Sequence, residues 1–162
     1  MNVGRSKDHH EHQPSGAIDA AAGPEARAKG SINPLIPTVS VFSDAERAYL
    51  GERRLGRLAT IDSKGLPHVV PLGWTYNHEL ETIDVTGRDF TRTAKFRYAS
   101  ANPNVALVID DVLPPWRPRA VEIRGHAEVL TEALGPTGEP LDGLIRIHPL
   151  KVISWGLDEG PR

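Results

Sequence analysis

Thr86-Gly87-Arg88-Asp89-Phe90-Thr91-Arg92-Thr93-Ala94-Lys95 separates two kinds of chain. Before it, Leu80 to Thr86 has strand character. After it, a helical run from about Thr91 to Ala101 stops at Asn102-Pro103, because a proline pushes the residue before it out of the helical region. Three cations, three hydroxyls and one glycine fall within these ten positions. Hydroxyls, free backbone N–H groups and fixed cations at a helix start suit an anionic, phosphate-bearing ligand. The same residues also read as a solvated basic turn. Their surroundings bear on the choice.

Working back from this stretch, the chain reads as short strands joined by turns. Pro67 to Tyr76 is a strand with an internal Pro71, which marks an edge, a bulge or a ligand-facing break. Gly56 to Asp62 is the strand before it, and Asp62-Ser63-Lys64-Gly65 is the turn between them. The three strands up to Thr86 are expected to form an antiparallel meander. Further back, Ser43-Asp44-Ala45-Glu46 is a capping box. It opens a helix to about Arg53, with Ala45, Tyr49 and Leu50 facing inward.

Working forward, Val105 to Ile109 is a continuous apolar run, as in a strand buried on both faces. A long loop is expected over Val112 to Arg119, containing Pro114-Pro115-Trp116-Arg117-Pro118. Ala120 to Leu130 alternates, with Val121, Ile123, Ala127 and Val129 on one face and Glu122, Arg124, His126 and Glu128 on the other. Gly125 marks a bulge. A second polar loop spans 131–140. Leu144 to His148 and Val152 to Trp155 are the last strands, with Pro149 between them. Six or seven strands, two short helices and no βαβ alternation predict a mainly β fold, an antiparallel barrel or closed sheet with small helices plugging it.

Residues 1–38 read as a disordered tail, 39–157 as one folded domain and 158–162 as a C-terminal tail. The tail's Asp8-His9-His10-Glu11-His12 cluster reads as a polar patch without the supporting groups that orient metal ligands. The charge of −2 gives no overall attraction for nucleic acid or an anionic membrane, so any anion site must be local. With no cysteine, thiolate chemistry and disulfides are excluded, which fits a cytoplasmic protein. No apolar run is long enough to span a membrane. Trp74, Trp116 and Trp155 are costly to leave exposed, which favours a homodimer.

Several catalytic types are absent. There is no Gly-x-Ser-x-Gly elbow and no Walker loop. His68, His126 and His148 fall on separate strands and read as surface or hydrogen-bonded histidines. Asp110-Asp111 reads as a solvated chain turn, a weak acid–base pair. No metal site is expected. What remains is a strand–turn–helix suited to an anionic cofactor whose own chemistry is used.

Leu55-Gly56-Arg57-Leu58-Ala59-Thr60-Ile61-Asp62 and Gly65-Leu66-Pro67-His68-Val69-Val70-Pro71-Leu72 resemble the opening of the pyridoxamine 5′-phosphate oxidase-like split-barrel proteins. Thr86 to Lys95, with Asn102-Pro103-Asn104-Val105-Ala106-Leu107, resembles that family's phosphate turn and helix. The segments Asp110 to Arg119 and Ile145 to Leu157 resemble its actinobacterial subgroup of deazaflavin (coenzyme F420)-dependent reductases, including the branch that reduces dehydrotetracycline intermediates. The resemblance covers Val41 to Leu157.

The resemblance implies an FMN-binding-type split β-barrel homodimer with two cofactor sites at the subunit interface. It implies that Val70 and Pro71 face the ring, that Thr86, Arg88, Arg92, Thr93 and Lys95 hold the tail, and that Trp116 with Arg117 either covers ring or substrate, within one subunit or across the interface, or serves only dimer packing. The family often has Arg-Lys where this chain has Ala94-Lys95. The absent cation weighs against an FMN phosphate and leaves the more highly charged deazaflavin tail. The implied reaction is hydride transfer from reduced coenzyme F420 to an electron-poor C=C or C=N of a small organic substrate, the proton coming from solvent or a side chain such as Tyr76. An FMN enzyme of the oxidase type, or a non-catalytic flavin- or deazaflavin-binding protein, is the alternative. The loops 112–119 and 131–140 are expected to shape the substrate pocket.

Overall fold

The computed structural model describes residues 40–157. The N-terminal tail with its histidine cluster, and residues 158–162, lie outside the described residues.

Ser43 caps α1, Asp44–Gly51, and both halves of the capping box are made. The Ser43 hydroxyl accepts from the Glu46 N–H at 3.3 Å, and the Ser43 N–H donates to the Glu46 carboxylate at 2.8 Å. The other Glu46 oxygen accepts from the Ser154 hydroxyl at 2.7 Å. A carboxylate engaged on both oxygens can be buried, so Glu46 packs inward with Tyr49 and Leu50 while Ala45 is only half-buried.

Nine strands follow: β1 Leu55–Ile61, β2 Pro67–Gly73, β3 Thr75–Asn77, β4 Thr82–Val85, β5 Asn104–Leu113, β6 Arg117–Leu130, β7 Ala133–Leu134, β8 Pro140–Leu141 and β9 Leu144–Trp155. β7 and β8 form a small separate hairpin. The other seven make one sheet in the order β2-β1-β5-β6-β9-β4-β3. All its pairings are antiparallel.

This order forces closure. In a flat sheet, six steps of about 4.8 Å would put β2 and β3 roughly 29 Å apart. Only Trp74 joins them, and one residue reaches at most about 3.6 Å. The sheet therefore curls until its edges meet at Trp74, giving a split β-barrel. Leu58, Ile83, Val85, Leu107, Ile109, Val121, Ile123, Ile145 and Ile147 fill its interior. A second helix, α2 (Ala94–Ala101), packs against β6 and β1.

Four expectations change in the folded chain. The single strand over 67–76 is divided at Trp74, so the expected meander is split between opposite sheet edges. The loop expected over 112–119 is instead the tip of a long hairpin, in which Leu113 pairs with Arg117 across three residues, Pro114, Pro115 and Trp116. The Pro114–Pro115 peptide bond is cis. Pro149 does not end a strand. Its strand runs through, because β4 pairs only with Ile145, Arg146 and Ile147 and leaves Pro149 with β6 as its one neighbour. The ladder is already interrupted there: Arg124 pairs with Lys151 and Gly125 with Pro149, so Leu150 is the extra residue of a bulge. The sequence points to an irregularity at Gly125, but the extra residue belongs to the opposite strand. Pro71 lies on β2, an edge strand in unbroken register with β1, where its missing N–H costs no ladder bond.

Asp111 fastens α1 to the β5–β6 hairpin. Arg119 donates to it through Nε at 3.0 Å and Nη2 at 2.6 Å, Arg53 at 2.7 Å and the Tyr49 hydroxyl at 3.0 Å. The Arg119 hydrogen bonds, first among the causes, hold the Asp111 carboxyl below its ordinary range. A carboxyl depressed in the folded state stabilises above its unfolded pKa, near about 4, and that stability is lost as pH falls through the folded value. Asp111→Asn is therefore expected to lower the melting temperature above pH 5 and to flatten its decline in acid. Parallel melting curves from neutral to acid pH for the two proteins would refute the role.

Candidate cofactor site

The basic stretch forms a tight turn between β4 and α2. Asp89 adopts the left-handed conformation, with φ of 47°. The chain then reverses into a single 3-10 turn, Phe90–Arg92, and drives the Phe90 ring into the core. Phe96 meets Phe90 edge-on at 5.6 Å between centroids. A Cβ on Gly87 would come within 3.1 Å of the Phe90 ring. The turn is thus pinned from beneath, and the Thr91 hydroxyl ties it sideways to Asp142 at 2.9 Å.

Thr93 caps α2. Its hydroxyl donates to the Phe90 carbonyl at 2.7 Å and accepts from the Phe96 N–H at 3.4 Å. The Thr93 proton is therefore engaged within the protein, and the residue sets the helix start. The N–H groups of Ala94 and Lys95, the first two of α2, have no partner inside the helix.

Six arginines outside this turn are neutralised: Arg47, Arg53, Arg57, Arg119, Arg124 and Arg146 all pair with carboxylates. Among the described residues, the Arg88 and Arg92 side chains make no hydrogen bond or ion pair, and Lys95 lies over the face of Phe90 at 5.1 Å. Asp89 is the one acid within the turn. Exposed cations beside free helix N–H groups attract an anion through charge and hydrogen bonding together.

Thr86, the first residue of the stretch, opens onto a cleft of about 540 Å³. Thr75, Asp84 and Arg146 form its strand wall, and Leu134, Pro136 and Leu141 of the β7–β8 hairpin face them. Asp84 and Arg146 sit opposite each other on β4 and β9 and pair through two hydrogen bonds of 2.9 and 2.8 Å. Their side chains are only 16% and 19% exposed. Sequence reasoning misses both. The available signal is one charged residue between apolar neighbours on each strand, Ile83-Asp84-Val85 and Ile145-Arg146-Ile147.

Of the other expected residues, Tyr76 borders this cleft, whereas Val70, Pro71 and Trp116 do not line it. Val70 is half-buried and pairs with Leu58 on the inner face of β2. Pro71, the next residue, faces outward beside Arg57. Trp116 is 76% exposed at the hairpin tip. It lines a different cleft, of about 270 Å³, with Arg117, Arg119 and Gly156. Tyr76 is half-buried, edge-on to Phe42 at 5.3 Å. Burial first, then the Glu81 charge, raises its pKa and keeps the phenol protonated. Of the two loops expected to shape a pocket, 131–140 supplies residues to the cleft beside Thr86. Among the described residues no three His, Asp or Glu side chains gather to hold a metal ion, and no helix is long and apolar enough to cross a membrane.

The family described as pyridoxamine 5′-phosphate oxidase matches residues 42–154, nearly the whole described chain. The chain belongs to this pyridoxamine 5′-phosphate oxidase family. A relative in Streptomyces rimosus, the 5a,11a-dehydrotetracycline/5a,11a-dehydrooxytetracycline reductase, is 41% identical over 125 residues, covering 72% of this chain and 84% of that protein. Among solved structures, a conserved hypothetical protein from Mycobacterium tuberculosis superposes with a TM-score of 0.55 at 21% identity, over 72% of this chain and 86% of that one. An FAD-binding protein from Mesorhizobium loti does so with a TM-score of 0.51 at 21% identity, over 67% and 87%. At these identities the structural likeness shows a shared fold.

Proposed function

We propose that this protein is an oxidoreductase that uses reduced coenzyme F420 to reduce a small organic substrate at an electron-poor C=C or C=N. The observation that carries the reading is the turn at Thr86–Lys95, where, among the described residues, Arg88, Arg92 and Lys95 have no carboxylate partner and the first N–H groups of α2 have no partner within the helix. The family membership and the 41% identical reductase support the oxidoreductase class.

The residues present fit an anionic, flavin-type group. Arg88, Arg92, Lys95 and the Thr86 hydroxyl would hold its charged tail. Thr93 would fix the helix start that aims the two N–H groups. Ala94 supplies no side-chain charge, so the three cations are spread along the turn. That suits a tail with several anionic groups better than one compact phosphate, and favours the deazaflavin over FMN. When bound, the reduced deazaflavin supplies a hydride. The protein's part is to align the acceptor and exclude water, because hydride transfer needs near-attack contact of about 3–3.5 Å. Tyr76, kept protonated, is a candidate proton donor.

The working unit in this reading is a homodimer. Trp116 and Thr86 line clefts that share no residue, so one chain does not bring them together. Leu55, Val69 and Trp155 are exposed on the outward face of the sheet that also carries Arg57 and Val108. Packing this face against a second copy would cover it and allow Trp116 of one subunit to complete the other's site.

Lys95→Ala is expected to weaken F420 binding by about 1.5–3 kcal/mol, the scale of a hydrogen bond to a charged group. Fluorescence titration of both proteins measures it. An unchanged dissociation constant would return Lys95 to an ordinary solvated position.

A further inference from the structure

The ladder between β6 and β9 ends at Leu130 and Leu144. Beyond it the chain runs on as the β7–β8 hairpin, which adds no strand to the seven-stranded sheet. Among the described residues, the hydrogen bonds of residues 133–141 stay within the hairpin. The Gly135 N–H donates to the Glu139 carbonyl at 2.8 Å, and the Gly138 N–H to the Gly135 carbonyl at 2.9 Å. The Thr137 N–H, at 3.0 Å, and the Thr137 hydroxyl both donate to the Glu139 carboxylate. An isolated two-stranded hairpin is at best marginally stable in water, so this one depends on what it rests against.

Its tip rests against little. One side faces Thr75, Asp84 and Arg146 across the cleft of about 540 Å³ beside Thr86. The other borders a cleft of about 400 Å³ lined by Glu132, Ala133, Leu134, Pro140 and Leu141. Leu134 lines both and is 72% exposed. The base is held instead. Asp142 accepts from the Thr91 hydroxyl at 2.9 Å. Gly143 is buried, with φ of 86°. A Cβ there would lie 2.7 Å from the Thr91 methyl carbon and 2.9 Å from the Phe96 ring. A segment with a fixed base, an exposed tip and self-contained hydrogen bonds lies at the low end of local stability.

We propose that residues 133–141 are a flap, hinged at Asp142-Gly143 on the basic turn, which closes over the occupant of the cleft beside Thr86 and lays Leu134 and Leu141 on it. This extends the reading of that cleft as the cofactor's, and rests on it. The strand wall offers polar groups, Thr75, Thr86 and the Asp84–Arg146 pair, and the flap offers Leu134, Pro136 and Leu141. Closure buries this apolar surface and expels water from the cleft, which a hydride transfer requires. Thr91 joins the hinge to the residues that would hold the cofactor's tail, so tail site and flap share one support.

Hydrogen exchange of the full chain, followed by mass spectrometry with and without F420 or FMN, tests the flap. In the free protein, amides of 133–141 are expected to exchange at least about tenfold faster than those of the β6–β9 ladder, and bound F420 to slow them at least about tenfold. Thr91→Val keeps the methyl group and removes the tie to Asp142. Asp142→Ala, at an exposed position, removes it from the other side. Each is expected to speed exchange of the free hairpin about threefold. Leu134→Ala is expected to weaken F420 binding about threefold or more and to leave the melting temperature unchanged. A free hairpin as protected as the ladder, unchanged exchange in both tie variants, full F420 affinity in Leu134→Ala, or a cofactor that binds without slowing the hairpin would each overturn the flap. Slowing by FMN and not by F420 would keep the flap and contradict the deazaflavin reading. Binding of neither cofactor would overturn both.

Discussion

Gly125→Ala is expected to destabilise the fold by about 3 kcal/mol, the upper end of ordinary overpacking. A Cβ at this position would lie 2.2 Å from the His148 carbonyl oxygen and 3.0 Å from its carbon. Those are backbone atoms of the neighbouring strand, so no side chain can swing aside. The strands meet this closely because Leu150 is the extra residue of the bulge just beyond, which tightens the crossing of β6 and β9. These two strands share the longest ladder of the barrel. The loss should appear as a lower urea midpoint with an unchanged slope. Gly51→Ala is the control, since a Cβ there meets nothing within 4 Å. A Gly125→Ala protein as stable as the control would show that the two strands can separate at no cost, and that the bulge does not hold them together.

Replacing Arg88, Arg92 and Lys95 together by alanine is expected to reduce F420 affinity by at least two orders of magnitude. Each removes a group able to make a charge-assisted hydrogen bond, although their effects will not simply add. Their removal should leave folding nearly intact. Among the described residues Arg88 and Arg92 make no hydrogen bond or ion pair, and half-buried Lys95 contributes its contact with Phe90, worth about 0.5–2 kcal/mol. The expected signature is therefore a melting temperature within a few degrees of the parent and a large rise in dissociation constant. The parent's affinity should also fall with added salt and the variant's should not, because the exposed charges are screened. Weak binding with an equally lowered melting temperature would mean that the substitutions damaged the turn and not the recognition.

The legible parts of this chain are those fixed locally. The capping box from Ser43 to Glu46 spans four residues, and it forms as written. The alternation from Val121 to Val129 needs only the pleat, and it gives the inner and outer faces of β6. The basic turn can be located because its three cations are neighbours in sequence. The misread parts depend on pairings between distant segments. Trp74 joins β2 to β3 only in a sheet whose order brings the two edges together. The loop expected at 112–119 is a hairpin because Asp111 and Arg119 pair across it, with Arg53 and Tyr49 converging from α1. Pro149 is tolerated inside a strand because β4 is too short to reach it. Asp84 and Arg146, 62 positions apart, meet only through the β4–β9 register.

The proposed function rests on the turn at Thr86–Lys95 receiving a deazaflavin tail. Side-by-side fluorescence titration of the full chain with oxidised and reduced F420 and with FMN tests this most directly. Micromolar binding of F420, with FMN weaker by about tenfold or more for want of a charge at Ala94, is the predicted result. Failure of both F420 forms to bind at micromolar concentrations, or tighter binding of FMN, would contradict it.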